Sequence, residues 1–134
     1  MRTKPRKWMA AVLALACVLG LGGCMVIPEE IQIPEAEKLV VRSGNDGEAV
    51  EVMDQEAIRR VTENINALKF EKGYSSEDYD GWRYTLSWYD SDGGLLESIT
   101  VMTDNQISYG GYFYVSIGAG IDTALLDELL DGGK

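Results

Sequence analysis

The sequence predicts an α+β domain. Its form is a two-layer sandwich, an antiparallel meander sheet with two helices on one face, in the order ββαββββα. Three observations predict it. From Trp82 to Asp90 the side chains alternate, with Trp82, Tyr84, Leu86 and Trp88 on one side and Arg83, Thr85, Ser87 and Tyr89 on the other. The strand-like runs after it are joined by Asp, Asn and Gly turns too short for a parallel crossover. Two further segments repeat apolar residues at spacings of three and four, which is the helical period.

The elements follow in order. Leu39–Arg42 is a short strand, and Asn45-Asp46-Gly47 is a tight hairpin turn, because Asp-Gly tolerates positive φ. Glu48–Met53 returns, with Ala49, Val50 and Val52 set among acids. Asp54 reads as an N-cap, and Ile58, Val61, Ile65 and Leu68 form the apolar face of a helix from Asp54 to Lys69. After the strand at Trp82–Asp90 comes the turn Asp90-Ser91-Asp92-Gly93-Gly94. Strands then follow at Leu95–Thr103, Gln106–Tyr109 and Tyr112–Ile117. Ile121–Leu130 closes the chain as a helix, with Asp122 near its start and Gly132-Gly133 at its stop. The predicted core is Ile58, Val61, Ile65, Leu68, Trp82, Leu86, Trp88, Ile99, Val101, Leu125 and Leu129. A chain of about 100 residues buries enough surface to support such a core without disulfides.

Composition narrows the function. The 134 residues hold 12 basic and 22 acidic side chains, two cysteines and no histidine. Without histidine there is no Ser-His-Asp or Cys-His catalysis, no His-ligated metal and no imidazole switch. The negative balance disfavours nucleic acid, whose phosphates are neutralised by Lys and Arg.

Residues 1–23 read as a leader. Arg2, Lys4, Arg6 and Lys7 precede an uncharged stretch from Trp8 to Gly23, a basic n-region followed by an apolar h-region. The stretch ends Leu21-Gly22-Gly23-Cys24, which resembles the lipobox of bacterial lipoproteins. That resemblance implies recognition of Leu21, Gly22 and Gly23 by signal peptidase II and a diacylglyceryl group on the Cys24 sulfur. Cys17, after Ala14-Leu15-Ala16, is left in the discarded h-region. The leader carries four of the twelve basic residues and no acidic one, so eight basic residues remain against twenty-two acids, a formal charge of −14. The resemblance implies a place on the outer face of the cytoplasmic membrane, or on the outer membrane in a host that has one. Two acyl chains give stable anchoring, and anionic headgroups repel the domain itself.

Residues 24–37 then read as the lipidated cysteine and an extended acidic tether, and residues 38–134 as the single domain. Pro28, Pro34, Glu29, Glu30, Glu35 and Glu37 favour extension, with a reach of roughly 40 Å. Ile31 and Ile33 alternate with Gln32, as in a docked edge strand. From Gly81-Trp82-Arg83-Tyr84 through Asp92-Gly93 to Tyr112-Phe113-Tyr114 the chain is similar to small domains of Gram-positive lipoproteins, to which no activity attaches.

No catalytic constellation and no metal site is expected. Asp90-Ser91-Asp92-Gly93-Gly94-Leu95-Leu96-Glu97 places carboxylates as in a calcium loop, but the glutamate falls at position eight instead of twelve, so a hairpin turn is the reading. Gly118-Ala119-Gly120 is too short for a phosphate loop. Ser75 and Ser76 near Lys69 and Lys72 carry no more than a chance Ser-Lys pairing. The aromatic and acidic run Tyr74–Trp82 and the polar strand face offer a binding surface, for which Tyr74, Tyr79, Arg83 and Tyr89 are the candidates. The expectation is a lipid-anchored, extracytoplasmic, non-enzymatic interaction module. Its partners are the membrane, through the anchor, and an envelope protein, and no cofactor is expected beyond the covalent lipid. The alternatives are an acidic inhibitor or immunity lipoprotein against a basic enzyme, and a lipoprotein binding a small ligand or cation.

Overall fold

The computed structural model describes residues 28–133. The leader, the lipobox and Cys24 lie outside the described residues. The strands are β1 Glu29–Glu30, β2 Lys38–Ser43, β3 Ala49–Val52, β4 Lys69–Ser75, β5 Tyr84–Tyr89, β6 Leu95–Thr103, β7 Gln106–Tyr109 and β8 Tyr112–Ser116. The helices are α1 Gln55–Asn66, between β3 and β4, and α2 Thr123–Gly132, after β8. The eight strands form one sheet in the order β1-β4-β8-β7-β6-β5-β2-β3, antiparallel at every pairing. The architecture is the α+β two-layer sandwich.

Local chemistry sets the boundaries. Gly47, at φ +73°, turns the β2–β3 hairpin. Asp54 caps α1 by accepting from the Glu56 N–H, and Asp122 caps α2 by accepting from the Leu125 N–H. Both helices cover the same sheet face. Trp88 donates its indole N–H to Thr62 of α1 at 3.0 Å, and Tyr84 donates its hydroxyl to Asp127 of α2. Tyr84, Leu86 and Trp88 share that face of β5 and are buried, together with Leu39 and Val41 of β2, Ile99 and Val101 of β6, and Ile107 of β7.

Four expectations are corrected. α1 ends at Asn66 instead of Lys69, and β4 begins where the helix was expected to finish, because Phe70 inserts into the core at 0% exposure. The order therefore gains β4 and the two-residue β1. Trp82 is 37% exposed, since β5 starts only at Tyr84 and Trp82 stays outside the sheet. Leu129 is only partly buried, because α2 presents Leu125, Leu126 and Leu130 to the sheet. Finally, residues 28–37, the described part of the expected tether, are docked on the domain instead of free. Glu29 and Glu30 pair with Phe70 and Lys69, and Ile31, Ile33 and Ala36 are buried.

That last segment has a topological task. β1 lies at one edge and β2 near the other, so residues 31–37 cross the helix-covered face between them. Asn66, at the end of α1, fastens the crossing: its amide accepts from the Ile33 N–H at 2.7 Å and donates to the Ile33 carbonyl at 3.1 Å. Glu37 N–H then joins the Tyr89 carbonyl at 2.9 Å, and β2 begins.

Candidate functional site

On the face of the sheet away from the helices, the central strands β5, β6 and β7 carry small hydroxyl side chains. Register sets Arg42, Thr85, Thr100, Ser108 and Phe113 in one row across β2, β5, β6, β7 and β8. Val40, Ser87 and Ser98 form the next row, and the Ser87 and Ser98 hydroxyls are 3.4 Å apart. Such short side chains leave a shallow polar floor with donors and acceptors.

A second crossing segment borders this floor. β4 and β5 are neighbours in sequence but lie four places apart in the sheet, so residues 76–83 traverse the open face. They touch it lightly. Ser76 and Ser108 share a hydroxyl hydrogen bond of 2.6 Å. Tyr79 meets Phe113 edge to face, with ring centroids 5.4 Å apart. At the far end the Gly44 N–H reaches the Arg83 carbonyl at 2.8 Å. Gly44 is required there, because a Cβ would stand 2.1 Å from the Trp82 carbonyl oxygen. Between these contacts Glu77, Asp78 and Asp80 are exposed, so the strap lays negative charge beside the hydroxyl floor.

The four candidates from the sequence do not form one cluster. Tyr79 stands on the strap and is 61% exposed. Tyr89 sits at the β6-turn end of β5, with the Lys38 ammonium 4.9 Å from its ring centroid. Tyr74 lies at the β4 end and is 89% exposed, four strands away from β5. Arg83 is placed elsewhere: its guanidinium lies 5.4 Å from the centroid of the Tyr84 ring, which belongs to the helix-covered side. The sequence reading missed Ser76, Ser108 and Phe113. A signal existed, because Phe113, Val115 and Ile117 put large apolar groups on the outward side of β8, which asks for a partial cover.

The acidic turn resolves as a hairpin. One Asp90 carboxylate oxygen accepts from the Asp92 and Gly94 N–H groups at 3.0 and 2.7 Å. Glu97 accepts the Tyr109 hydroxyl at 2.8 Å on the helix-side face. Among the described residues no three His, Cys, Asp or Glu side chains gather as metal ligands would.

Three tyrosines of the helix-side face are shifted. Burial, reinforced by the hydrogen bond to Asp127, pushes Tyr84 up to about 12. The bond to Glu97, with burial behind it, raises Tyr109. Burial, then the neighbouring Glu29, raises Tyr114. All three stay protonated donors at neutral pH, which suits structural hydrogen bonding.

The covered face has its own groove, of about 390 Å³, between the 33–37 crossing and α1. Ile33, Ala36 and Ile58 form its apolar part. Arg59 on its rim is held by Glu56 and Glu63, the latter at 2.9 Å, and these carboxylates raise its already high pKa. Compared with known protein families, curated proteins and solved structures, the chain matches none.

Proposed function

We propose that this protein is a lipid-anchored extracytoplasmic binding module, non-enzymatic, that takes an envelope partner on the open face of its sheet. One observation carries the reading: helices seal one face, while the other keeps a hydroxyl floor bordered by an exposed strap with Tyr79 and Trp82. Aromatic side chains with free polar neighbours supply contact area at low entropic cost. The lipobox-like Leu21-Gly22-Gly23-Cys24 supports the anchor. Among the described residues no helix is long and apolar enough to cross a membrane.

The test has two parts. Intact-mass measurement of the protein isolated from membranes is expected to show a diacylglyceryl group that Cys24→Ser abolishes; an unmodified mature chain overturns the anchor. The soluble domain, immobilised, is then exposed to envelope extract of its host beside Thr100→Arg, which places a long cation on the open floor. A partner retained by the native face and lost by the variant supports the reading. Equal retention overturns the face assignment.

A second reading is favoured by charge. The strap acids Glu77, Asp78 and Asp80 and the formal −14 suit an inhibitor of a basic enzyme, since opposite charge speeds encounter. Its association rate would fall steeply with salt, and salt-insensitive association counts against it.

A further inference from the structure

One edge of the sheet is bare at β3. This strand ends the order, with β2 on one side and no strand on the other among the described residues. The direction of its polar groups follows from the turn before it. The Glu48 carbonyl accepts from the Ser43 N–H, so Glu48 turns its backbone towards β2. Alternation gives Val50 the same direction and points the N–H and carbonyl groups of Ala49 and Glu51 away from the sheet. An unpaired row of this kind is a template for another strand.

A trough lies between that edge and the end of α2. Glu48, Ala49, Val50, Leu130 and Gly133 line a hollow of about 450 Å³. Its floor is apolar, because Val50 is half-buried and Leu130 is buried. Gly133 packs on Val50 so closely that a Cβ would stand 2.1 Å from the Val50 Cγ1. Glu48 and Leu130 also line an adjoining hollow of about 270 Å³, which Asp46, Asp127 and Asp131 make acidic.

The charge along this trough has one sign. The two basic side chains of β2 are engaged, Lys38 with Glu51 at 3.6 Å and Arg42 with the Gly47 carbonyl at 2.9 Å. The last turn of α2 carries no base, although the carbonyl end of a helix favours cations. A second copy of the chain, at a formal charge of −10, would bring the same acids against themselves. The acids therefore blunt the edge against self-association and leave it open to a strand of opposite charge.

We propose that β3 binds an extended basic segment of a partner protein by antiparallel strand addition, seating an apolar side chain between Val50 and Leu130 and a Lys or Arg beside Glu48 and Asp131. Residues directly opposite in an antiparallel pair share a face. The partner residue opposite Val50 therefore enters the apolar hollow. The residue opposite Glu48, two positions later in the partner, enters the acidic one. The residue opposite Glu51 lies on the other face, where a second base meets the Glu51 carboxylate. The recognised pattern is base, apolar, any residue, base. None of this rests on the hydroxyl floor, so it stands apart from the open-face reading.

The probe is the labelled peptide acetyl-Thr-Lys-Val-Thr-Lys-Thr-amide, titrated into the full chain and read by fluorescence anisotropy. Two isomers carry one N-methyl group each. Methylation at the Thr after Val removes the N–H aimed at the Ala49 carbonyl and is expected to weaken binding at least tenfold. Methylation at Val, whose N–H points away from β3, is expected to change binding less than twofold. The isomers have the same charge, so equal affinities mean attraction without pairing and overturn the proposal. Absence of binding by the parent peptide overturns it too. Glutamate in place of both lysines is expected to weaken binding at least tenfold, and Asp131→Lys to narrow that gap at least threefold. A glutamate peptide that binds as well as the parent, or a gap unchanged by Asp131→Lys, overturns the choice of a basic partner. Amide exchange locates the strand: saturating peptide is expected to slow the Ala49 and Glu51 N–H groups at least tenfold, and unchanged rates there overturn the placement.

Discussion

Two segments cross this sheet, one over each face, and they solve the same problem with different chemistry. Residues 31–37 join β1 to β2 across the helix-covered face, and residues 76–83 join β4 to β5 across the open one. The first puts down Ile31, Ile33 and Ala36, at 5%, 5% and 7% exposure, and is fastened by Asn66. The second, Ser-Glu-Asp-Tyr-Asp-Gly-Trp-Arg, touches the sheet through Ser76, Tyr79 and, at its end, the Arg83 backbone, and leaves Glu77, Asp78 and Asp80 in solvent. Topology demands both crossings. Side-chain composition decides that one becomes core and the other remains surface. Burying an isoleucine is worth about 1.5–3 kcal/mol, whereas a partly exposed aromatic pair is worth about 0.5–1.5 kcal/mol.

The largest way to break the comparison is Ile33→Ala. It leaves a cavity under the inner crossing and is expected to cost about 2–4 kcal/mol, read as a lower urea midpoint with an unchanged slope. A loss below about 1 kcal/mol would mean that the inner crossing is as loosely held as the outer one. Next is Asn66→Ala, which strips both hydrogen bonds from the Ile33 backbone. The part-buried N–H and carbonyl lose their partner, and the expected cost is about 1–3 kcal/mol. Asn66→Asp, which keeps the acceptor for the Ile33 N–H but not the donor, is expected to fall between the two.

The covered face also responds to alkali. Tyr84 is an ordinary phenol with a pKa near 10 when unfolded and is raised to about 12 when folded. Its contribution is therefore fully present below pH 10 and is lost as pH rises from 10 through 12. Tyr109 and Tyr114 shift in the same direction. Tyr84→Phe is expected to cost about 1 kcal/mol at pH 7, by removing one hydrogen bond, and to flatten the fall in stability between pH 10 and 12. Parallel stability curves for the two proteins would show that Tyr84 does not carry the alkaline sensitivity.

The contrast between the crossings also explains what the sequence made legible. Strands β5 to β8 were readable because each alternates over four or more residues and ends in a turn of Asp, Asn or Gly. Both helices were readable from spacing and from their Asp caps. β4 was not, because Lys-Phe-Glu-Lys-Gly-Tyr-Ser carries a single buried residue, Phe70, too little for a period to show. The inner crossing was half readable: Ile31-Gln32-Ile33 alternates, but prolines and glutamates on both sides read equally as a solvated tether. What separates the two is the partner, Asn66, thirty-three residues away, and sequence pattern does not report long-range pairs. The candidate surface was legible as polar residues on β5, yet its border was not, because the Ser76–Ser108 and Tyr79–Phe113 contacts depend on where the strap crosses.

The smallest expected effect belongs to the outer strap and is the sharpest test of its independence. Tyr79→Ala removes the edge-to-face contact with Phe113 from a side chain already 61% exposed. The expected loss in global stability is about 0.5 kcal/mol, because most of the ring never left water. The local effect is larger than the global one. With Tyr79 gone, the strap between Ser76 and Arg83 is held only at its two ends, and local opening no longer requires the sheet to unfold. A glutamate-specific protease is therefore expected to cut after Glu77 faster in Tyr79→Ala than in the native chain, while Glu35 and Glu37 on the inner crossing stay uncut in both. Cleavage at Glu35 or Glu37 at the rate seen for Glu77 would erase the distinction between the crossings. A Tyr79→Ala loss approaching that of Ile33→Ala would make the outer strap part of the core, and the open face would then be a sealed surface unavailable to a partner.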